Sequence, residues 1–346
     1  MLTIDGAHGE GGGQILRTAL SLAAVLQRPV RIERIRAERP KPGLRPQHLT
    51  AVRAIAAICG ATLAGDQVGS SELIFTPGHV PRPGDYTFDV SQTAGTGSAG
   101  AVSLILQTVL IPLALAEGPS RLVLRGGTHV PWSPPFHYLA HVYLPSLARM
   151  GVTVEMRLER WGWYPRGGGE VVVHLPGHAR LCPWEFTRRG ELCRVWGISA
   201  ASRLPAHVRQ RQAQQARARL RDAGVTVEMS EIDAPSVGPG TCVFLCAEHE
   251  EIAAGFAAYG RRGLPAEQVA DAAVDAFLAY ESREGAADPY LADQLVLPLA
   301  LVGGALTTTE VTRHLVTNIW VAEQFLGPRF TLEGQEGTEG LLRCSS

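Results

Sequence analysis

The stretch best equipped for chemistry is Gly9-Glu10-Gly11-Gly12-Gly13, which follows Asp5-Gly6-Ala7-His8 and leads straight into Gln14-Ile15-Leu16-Arg17. Four of its five residues lack a Cβ, so the backbone there can take positive φ and come close to a ligand. A helix that starts beside such a turn keeps its first N–H groups free for an anion. That is phosphate-site chemistry, and Glu10 stands where a carboxylate could hold a divalent cation. Without a ligand, the same turn would be a glycine C-cap or a tight reversal. Residues 28–45 add Arg28, Arg31, Arg34, Arg36, Arg39, Lys41 and Arg45 against Glu33 and Glu38. Arginine forks suit phosphate oxygens, and Pro40-Lys41-Pro42-Gly43 would present them from a stiffened loop. Taken alone, this block would read as a strand edge whose charge guards against aggregation. Lys41 is the only lysine among 32 basic residues, a bias that GC-rich codon usage would also give, so any covalent lysine chemistry would have to use it.

The elements that must position these groups follow from periodicity. After the glycine turn, apolar residues over 14–26 recur at helical spacing, and 30–35 alternates like a half-buried strand. Pro46 opens a second helix that ends at Gly60, followed by strands near 61–64 and 72–76, which makes a β-α-β-α-β-β unit. The pattern returns with a strand at 86–90 and a long apolar helix opened by Gly95-Thr96-Gly97-Ser98 and running to 116. A strand at 121–124, a helix from Pro134 to Met150 and strands near 152–158 and 170–175 complete it. A third copy begins with a strand at 184–187 and resumes with a helix at 290–302, a strand at 306–311, a helix from Arg313 to Leu326 and strands near 329 and 341. Between them lies a separate pattern: strand 194–200, helix 207–223, strands 225–232 and 241–247, and helix 266–282. The expected fold is therefore α+β. Three βαβαββ repeats, approximately 1–80, 81–180 and 181–188 plus 285–346, form a large domain of residues 1–184 and 285–346, with a smaller α/β domain over 189–284 inserted in the third repeat. Arg209, Arg211, Arg217, Arg219 and Arg221 on the insert's first helix read as a solvated face, with an RNA contact as the alternative.

Composition removes several classes. A chain of 346 residues with 45% hydrophobic and 19% charged residues is ordinary for a globular protein with a large core. Its net charge of −1 excludes a protein coated in positive charge, so any nucleic-acid contact must be local. Residues 1–13 have neither a basic n-region nor an apolar core, so no signal peptide is expected. The most apolar segment, 99–116, carries Ser103, Gln107, Thr108 and Pro112 and reads as a buried helix, with no membrane span expected. Cysteines at 59, 182, 193, 242, 246 and 344 make no CxxC pair and no zinc spacing, which suits free thiols and a cytoplasmic location.

Several blocks resemble the RNA 3′-terminal phosphate cyclase family. They are Asp5 through Arg17, Ile35-Arg36-Ala37-Glu38-Arg39-Pro40-Lys41-Pro42-Gly43-Leu44, Gln47-His48-Leu49-Thr50-Ala51, Gly126-Gly127-Thr128, Tyr290-Leu291-Ala292-Asp293-Gln294-Leu295-Val296-Leu297-Pro298 and His314-Leu315-Val316-Thr317-Asn318. The resemblance implies an ATP-dependent enzyme that turns an RNA 3′-phosphate into a 2′,3′-cyclic phosphodiester through a covalent histidine-AMP and an RNA-adenylate. By position His314 would be the nucleophile; on its own it would read as a helix-capping or core histidine. The resemblance further implies Glu10 as metal ligand for Mg²⁺ or Mn²⁺, and Arg17, Arg36, Arg39, Gln47 and His48 as binders of phosphates or the RNA end. Pro134 or Pro135 with Tyr290 would sandwich adenine, Asp293 and Gln294 would contact the nucleoside, and Gln107 would make a polar contact at the metal or ATP. The run His129-Val130-Pro131-Trp132-Ser133 is bulkier than the family pattern. A homodimer is what the resemblance suggests. Two other functions make different demands on these residues. A non-catalytic cyclase-like RNA-binding protein of ribosome assembly would not need His314, Glu10 and the arginines together. An enolpyruvyl transferase-like enzyme would take no covalent nucleotide.

Overall fold

The computed structural model describes residues 1–94 and 99–345. Leu2–Asp5 (β1) runs parallel to Val30–Glu33 (β2), and Gly13–Leu26 (α1) crosses between them. Pro46–Cys59 (α2) starts on a proline, whose missing N–H costs nothing in a first turn, and stops at Gly60 in the left-handed region, φ 58. Thr62–Ala64 (β3) and Leu73–Thr76 (β4) complete a sheet of order β1-β2-β4-β3.

Asp85–Asp89 (β5), Val90–Ala94 (α3), Val102–Ala114 (α4) and Ser120–Gly126 (β6) follow, and β5 is parallel to β6. The next helix has three parts: Phe136–Tyr138 (α5), a π-helical turn over Leu139–Tyr143, and Leu144–Arg149 (α6). Glu155–Arg160 (β7) and Gly169–Leu175 (β8) close a second sheet, β5-β6-β8-β7. Trp184–Phe186 (β9) pairs in parallel with a strand more than a hundred residues later, Gly304–Thr308 (β14). Between them come Leu192–Ser202 (β10), Ala206–Asp222 (α7), Val227–Asp233 (β11), Gly240–His249 (β12), Ala253–Tyr259 (β13) and Ala266–Glu281 (α8). Then come Pro289–Gln294 (α9) and Val296–Val302 (α10), which lead into β14. Arg313–Leu326 (α11), Phe330–Glu333 (β15) and Gly340–Cys344 (β16) end the described chain, with sheet order β15-β16-β14-β9. Three sheets thus share one order and one set of strand senses. The fourth has the same strand senses but a different chain order, β11-β10-β12-β13. The fold is α+β.

The fourth sheet is buried on both faces. Along β12, Val243, Leu245 and Ala247 join Val269, Val274 and Phe277 of α8 in one core, while Cys242, Phe244 and Cys246 join the main core formed around α1, α2, α4 and α11. Successive strand residues point to opposite faces, so a strand covered on both sides reads as one continuous apolar run. Arginines of α7 pair with α8: Arg211 with Glu267 at 2.7 Å, and Arg219 with Asp271 at 2.8 Å and Asp275 at 2.7 Å.

Some elements depart from the sequence expectation. The strand β13 was not anticipated, because Ala-Ala-Gly-Phe-Ala-Ala-Tyr has neither β-branched residues nor alternation. The helix expected over 290–302 breaks at Leu295 into α9 and α10. The strand expected over 306–311 covers Gly304–Thr308 instead, ended by a turn in which Thr308 Oγ1 accepts from the Glu310 N–H at 3.3 Å. The glycine opening expected at 95–98 lies outside the described residues, and the apolar helix itself starts at Val102. Among the described residues no helix is long and apolar enough to cross a membrane, and all six cysteines are free.

Candidate active site

The glycine turn needs its glycines. Gly9 and Gly11 have φ of +57 and +59, and a Cβ on Gly9 would stand 2.5 Å from Thr317 Oγ1 on α11. That hydroxyl accepts the Glu10 backbone N–H at 3.2 Å, so the turn is fastened to a helix three hundred residues away. No side chain caps α1 at Gly12, and its first turn carries no acidic residue. The Glu10 carboxylate of the turn itself lies against this helix start, so close that a Cβ on Gly12 would stand 2.9 Å from its Oε2.

Glu10 stands between the Arg39 guanidinium and the His314 ring, its side chain 18% exposed. One carboxylate oxygen pairs with Arg39, which also donates to the Glu10 carbonyl at 3.1 Å. The other, Oε2, lies 2.8 Å from His314 Nε2 and is buried without a hydrogen bond. His314 is the second residue of α11, whose Thr312 cap accepts the Leu315 N–H at 3.1 Å. Its ring is 47% exposed. Burial of the rest pushes its pKa down from the ordinary value; Asp293 raises it, while Arg17 and Arg39 lower it. The imidazole is therefore neutral at pH 7, with a free lone pair on one nitrogen.

Arg17 and Asp293 complete this group. Burial lowers the Arg17 guanidinium to about 10 against the pull of Asp293, and Arg17 Nε is left without a partner. Asp293 is half-buried and pushed up to about 7 by desolvation, with His314 and Arg17 opposing the shift. Asn318 of α11 ties the two helices by donating to the Asp293 carbonyl at 2.9 Å, and its Oδ1 accepts from Thr18 of α1 at 2.7 Å. Gln107 of α4 donates to Gln294 Oε1 at 2.7 Å, and Gln294 donates to the Tyr290 carbonyl at 2.7 Å. Tyr290 itself is 63% exposed, its ring edge-on to Tyr138 at 6.5 Å. Pro134 is half-buried and Pro135 is buried at the start of α5, so Pro134 is the proline with surface open to a base.

The basic cluster lies against the same turn. His48 is buried, and its pKa falls to about 3 through desolvation and the nearby charges of Arg36, Arg17 and Arg45. Its Nδ1 accepts the Arg45 N–H at 3.1 Å, and its Nε2 packs so closely under Gly13 that a Cβ there would approach to 2.5 Å. Arg36, at φ +54, donates to the carbonyls of Lys41 at 2.6 Å and Gly43 at 3.0 Å, holding the proline loop in shape. Gln47 Oε1 accepts the Ala101 N–H at 3.2 Å, which links α2 to the Gly126-Gly127 segment through the Ala101–Gly127 bridge. Arg45 is the member sequence reasoning left out of the site. Its place directly before Pro46, at the start of the helix that carries His48, was the available signal.

The structure thus brings Glu10, Arg17, Arg39, Asp293 and His314 into one group, with Arg36 and His48 beside the glycine turn, while Gln47 faces Gly100 and Ala101 instead. Gln107, Gln294 and Tyr290 form a third group joined to the first through α9. Two buried polar atoms without partners, an anionic oxygen and a cationic N–H, suit a ligand that carries both phosphate and a bound cation. Among the described residues no cluster of three or more His, Cys, Asp or Glu could hold a metal by itself. One carboxylate completed by phosphate oxygens and water is the set that Mg²⁺ favours.

The sequence profile of the RNA 3′-terminal phosphate cyclase family matches residues 8–332. The chain is 51% identical over 348 residues to the RNA 3′-terminal phosphate cyclase of Methylococcus capsulatus, covering 99% of this chain and 96% of that protein. It is 50% identical to the RNA 3′-terminal phosphate cyclase of Trichormus variabilis over 94% of each chain. An archaeal protein of the same description, from Thermococcus onnurineus, is 44% identical over 99% of this chain and 98% of its own.

Proposed function

The chain belongs to the RNA 3′-terminal phosphate cyclase family, and from that premise we propose that it converts an RNA 3′-phosphate to a 2′,3′-cyclic phosphodiester at the expense of ATP, through AMP carried on His314. The observation that carries this reading is the neutral, half-exposed His314 at a helix N-terminus, 2.8 Å from an unpartnered Glu10 oxygen. A neutral imidazole is a competent nucleophile, and the N–H groups of the α11 start favour the charge that gathers at a phosphorus under attack.

A ring nitrogen of His314 forms a bond to the α-phosphorus of ATP, and pyrophosphate leaves. The RNA 3′-phosphate then attacks that phosphorus, freeing His314 and forming an RNA-adenylate. The ribose 2′-oxygen attacks the terminal phosphorus, AMP leaves, and the hydroxyl proton goes to solvent. The ring closes between groups of one nucleotide and gains from effective molarity. Arg17 and Arg39 balance the phosphate charge, and Arg36 with His48 fixes the loop and turn that bring them there. Tyr290 and Pro134 hold adenine between them, and Asp293, Gln294 and Gln107 line the nucleoside side. Mg²⁺ or Mn²⁺, held through Glu10, would neutralise the charge of the departing pyrophosphate.

The test is an RNA with a 3′-phosphate incubated with purified protein, ATP and Mg²⁺. A terminus that resists phosphatase and is opened by mild acid to a monophosphate is the expected product. An end that stays phosphatase-sensitive after full incubation would contradict the proposal.

A further inference from the structure

Asp288 is fully buried, and four donors converge on its carboxylate. The Tyr290 and Leu291 N–H groups reach Oδ1 at 2.9 and 3.0 Å, capping α9. The Tyr138 hydroxyl donates to Oδ1 at 2.8 Å and to Oδ2 at 3.0 Å. The Gly255 N–H, from β13 of the 189–284 segment, donates to Oδ2 at 3.3 Å. Burial still pushes this carboxyl up to about 6, but the four donors keep it mostly ionised at neutral pH.

Three parts of the chain therefore meet on one carboxylate. The α9 helix carries Tyr290, Asp293 and Gln294. The segment from Pro134 to the π-helical turn carries Tyr138, whose ring meets Tyr290 edge-on. The third part is β13, where Gly255 leaves no room for a side chain. A Cβ there would lie 2.8 Å from Tyr138 Cδ2, 3.0 Å from Val142 in the π-helical turn and 3.1 Å from Phe244. A π-helical turn inside a helix is itself a frequent companion of functional sites.

We propose that the Tyr138–Asp288–Gly255 junction is a positioning element for the nucleotide pocket, through which the 189–284 segment sets the placement of Tyr290 and hence the affinity for ATP. This rests on the reading of Tyr290 as an adenine contact. Asp288 and Tyr138 act through Tyr290 and α9, and neither touches the nucleotide. The junction gives the 189–284 segment a role in the first half-reaction even though its sheet supplies none of the site's side chains.

The experiment measures equilibrium binding of ATP with Mg²⁺ by calorimetry, together with the rate of covalent labelling from α-labelled ATP without RNA. The variants are Tyr138→Phe, Asp288→Asn and Gly255→Ala, each checked for a cooperative thermal transition. Losing a hydrogen bond to a buried charge, or displacing Tyr138, should weaken ATP binding by roughly tenfold while the labelling rate at saturating ATP stays within about twofold. A purely structural role would lower the melting temperature and leave the affinity of the folded fraction unchanged, which would overturn the proposal. If the wild type binds ATP but takes no label, and the variants still bind more weakly, the junction stands and the histidine chemistry falls. If the wild type does not bind ATP, both fall.

Discussion

Replacing Gly9 with Ala perturbs both the fold and the proposed chemistry through one atom. The left-handed backbone at Gly9 costs an L-residue about 1–2 kcal/mol. The new Cβ would also stand 2.5 Å from Thr317 Oγ1, and Thr317 is buried within α11, so the contact cannot relax by moving one side chain. Crowding of that kind adds about 1–3 kcal/mol, for a total of about 2–5 kcal/mol. Thr317→Ala alone removes the acceptor for the Glu10 N–H and should cost about 1–2 kcal/mol. In the double variant the crowding is gone, so its cost should fall short of the sum of the two singles by about 1–3 kcal/mol. Because the turn carries Glu10, Gly9→Ala should also slow covalent labelling by ATP by about a hundredfold, the effect of a displacement near 1 Å. Urea unfolding of the four proteins gives the coupling, and single-turnover labelling gives the rate. A Gly9→Ala protein as stable and as fast as the wild type would refute the reasoning, as would strict additivity.

Two further predictions concern pH. The pKa of His314 is depressed by burial, so labelling without RNA should keep more than half its maximal rate at pH 6.5; an acid limb centred above that value would contradict the assignment. His48 falls from 6.5 to about 3 in the folded protein, so its contribution is fully present above pH 6.5 and is lost as pH falls from there toward 3. The wild type should therefore lose about 1.4 kcal/mol relative to His48→Gln between pH 7.5 and 5.5, measured by urea unfolding at both values. A pH-independent difference would mean that the histidine is solvated.

What the sequence made legible, and what it hid, follow from the range of the interactions involved. The α2 helix was readable because its start and stop, Pro46 and Gly60, are local backbone signals. The α+β class was readable because each amphipathic stripe records the face it buries. The strand β13 was not, since its Ala and Gly residues answer to the close approach of Tyr138 and Val142, over a hundred residues away in sequence. The glycine turn with Glu10 stood out, yet nothing local showed that Thr317 would fasten it or that Asn318 would bind Thr18 to the Asp293 carbonyl. Likewise nothing local singled out Asp288, and only the fold brings Tyr138 and Gly255 to its carboxylate.

The central claim is that His314 carries the nucleotide, and covalent labelling tests it most directly. Purified protein is incubated with Mg²⁺ and ATP labelled at the α-phosphate, without RNA, alongside a folded His314→Ala variant. The wild type should retain acid-labile, alkali-stable label after denaturation, and the variant should retain none. No label on folded wild-type protein, or label that persists in the variant, would contradict the account.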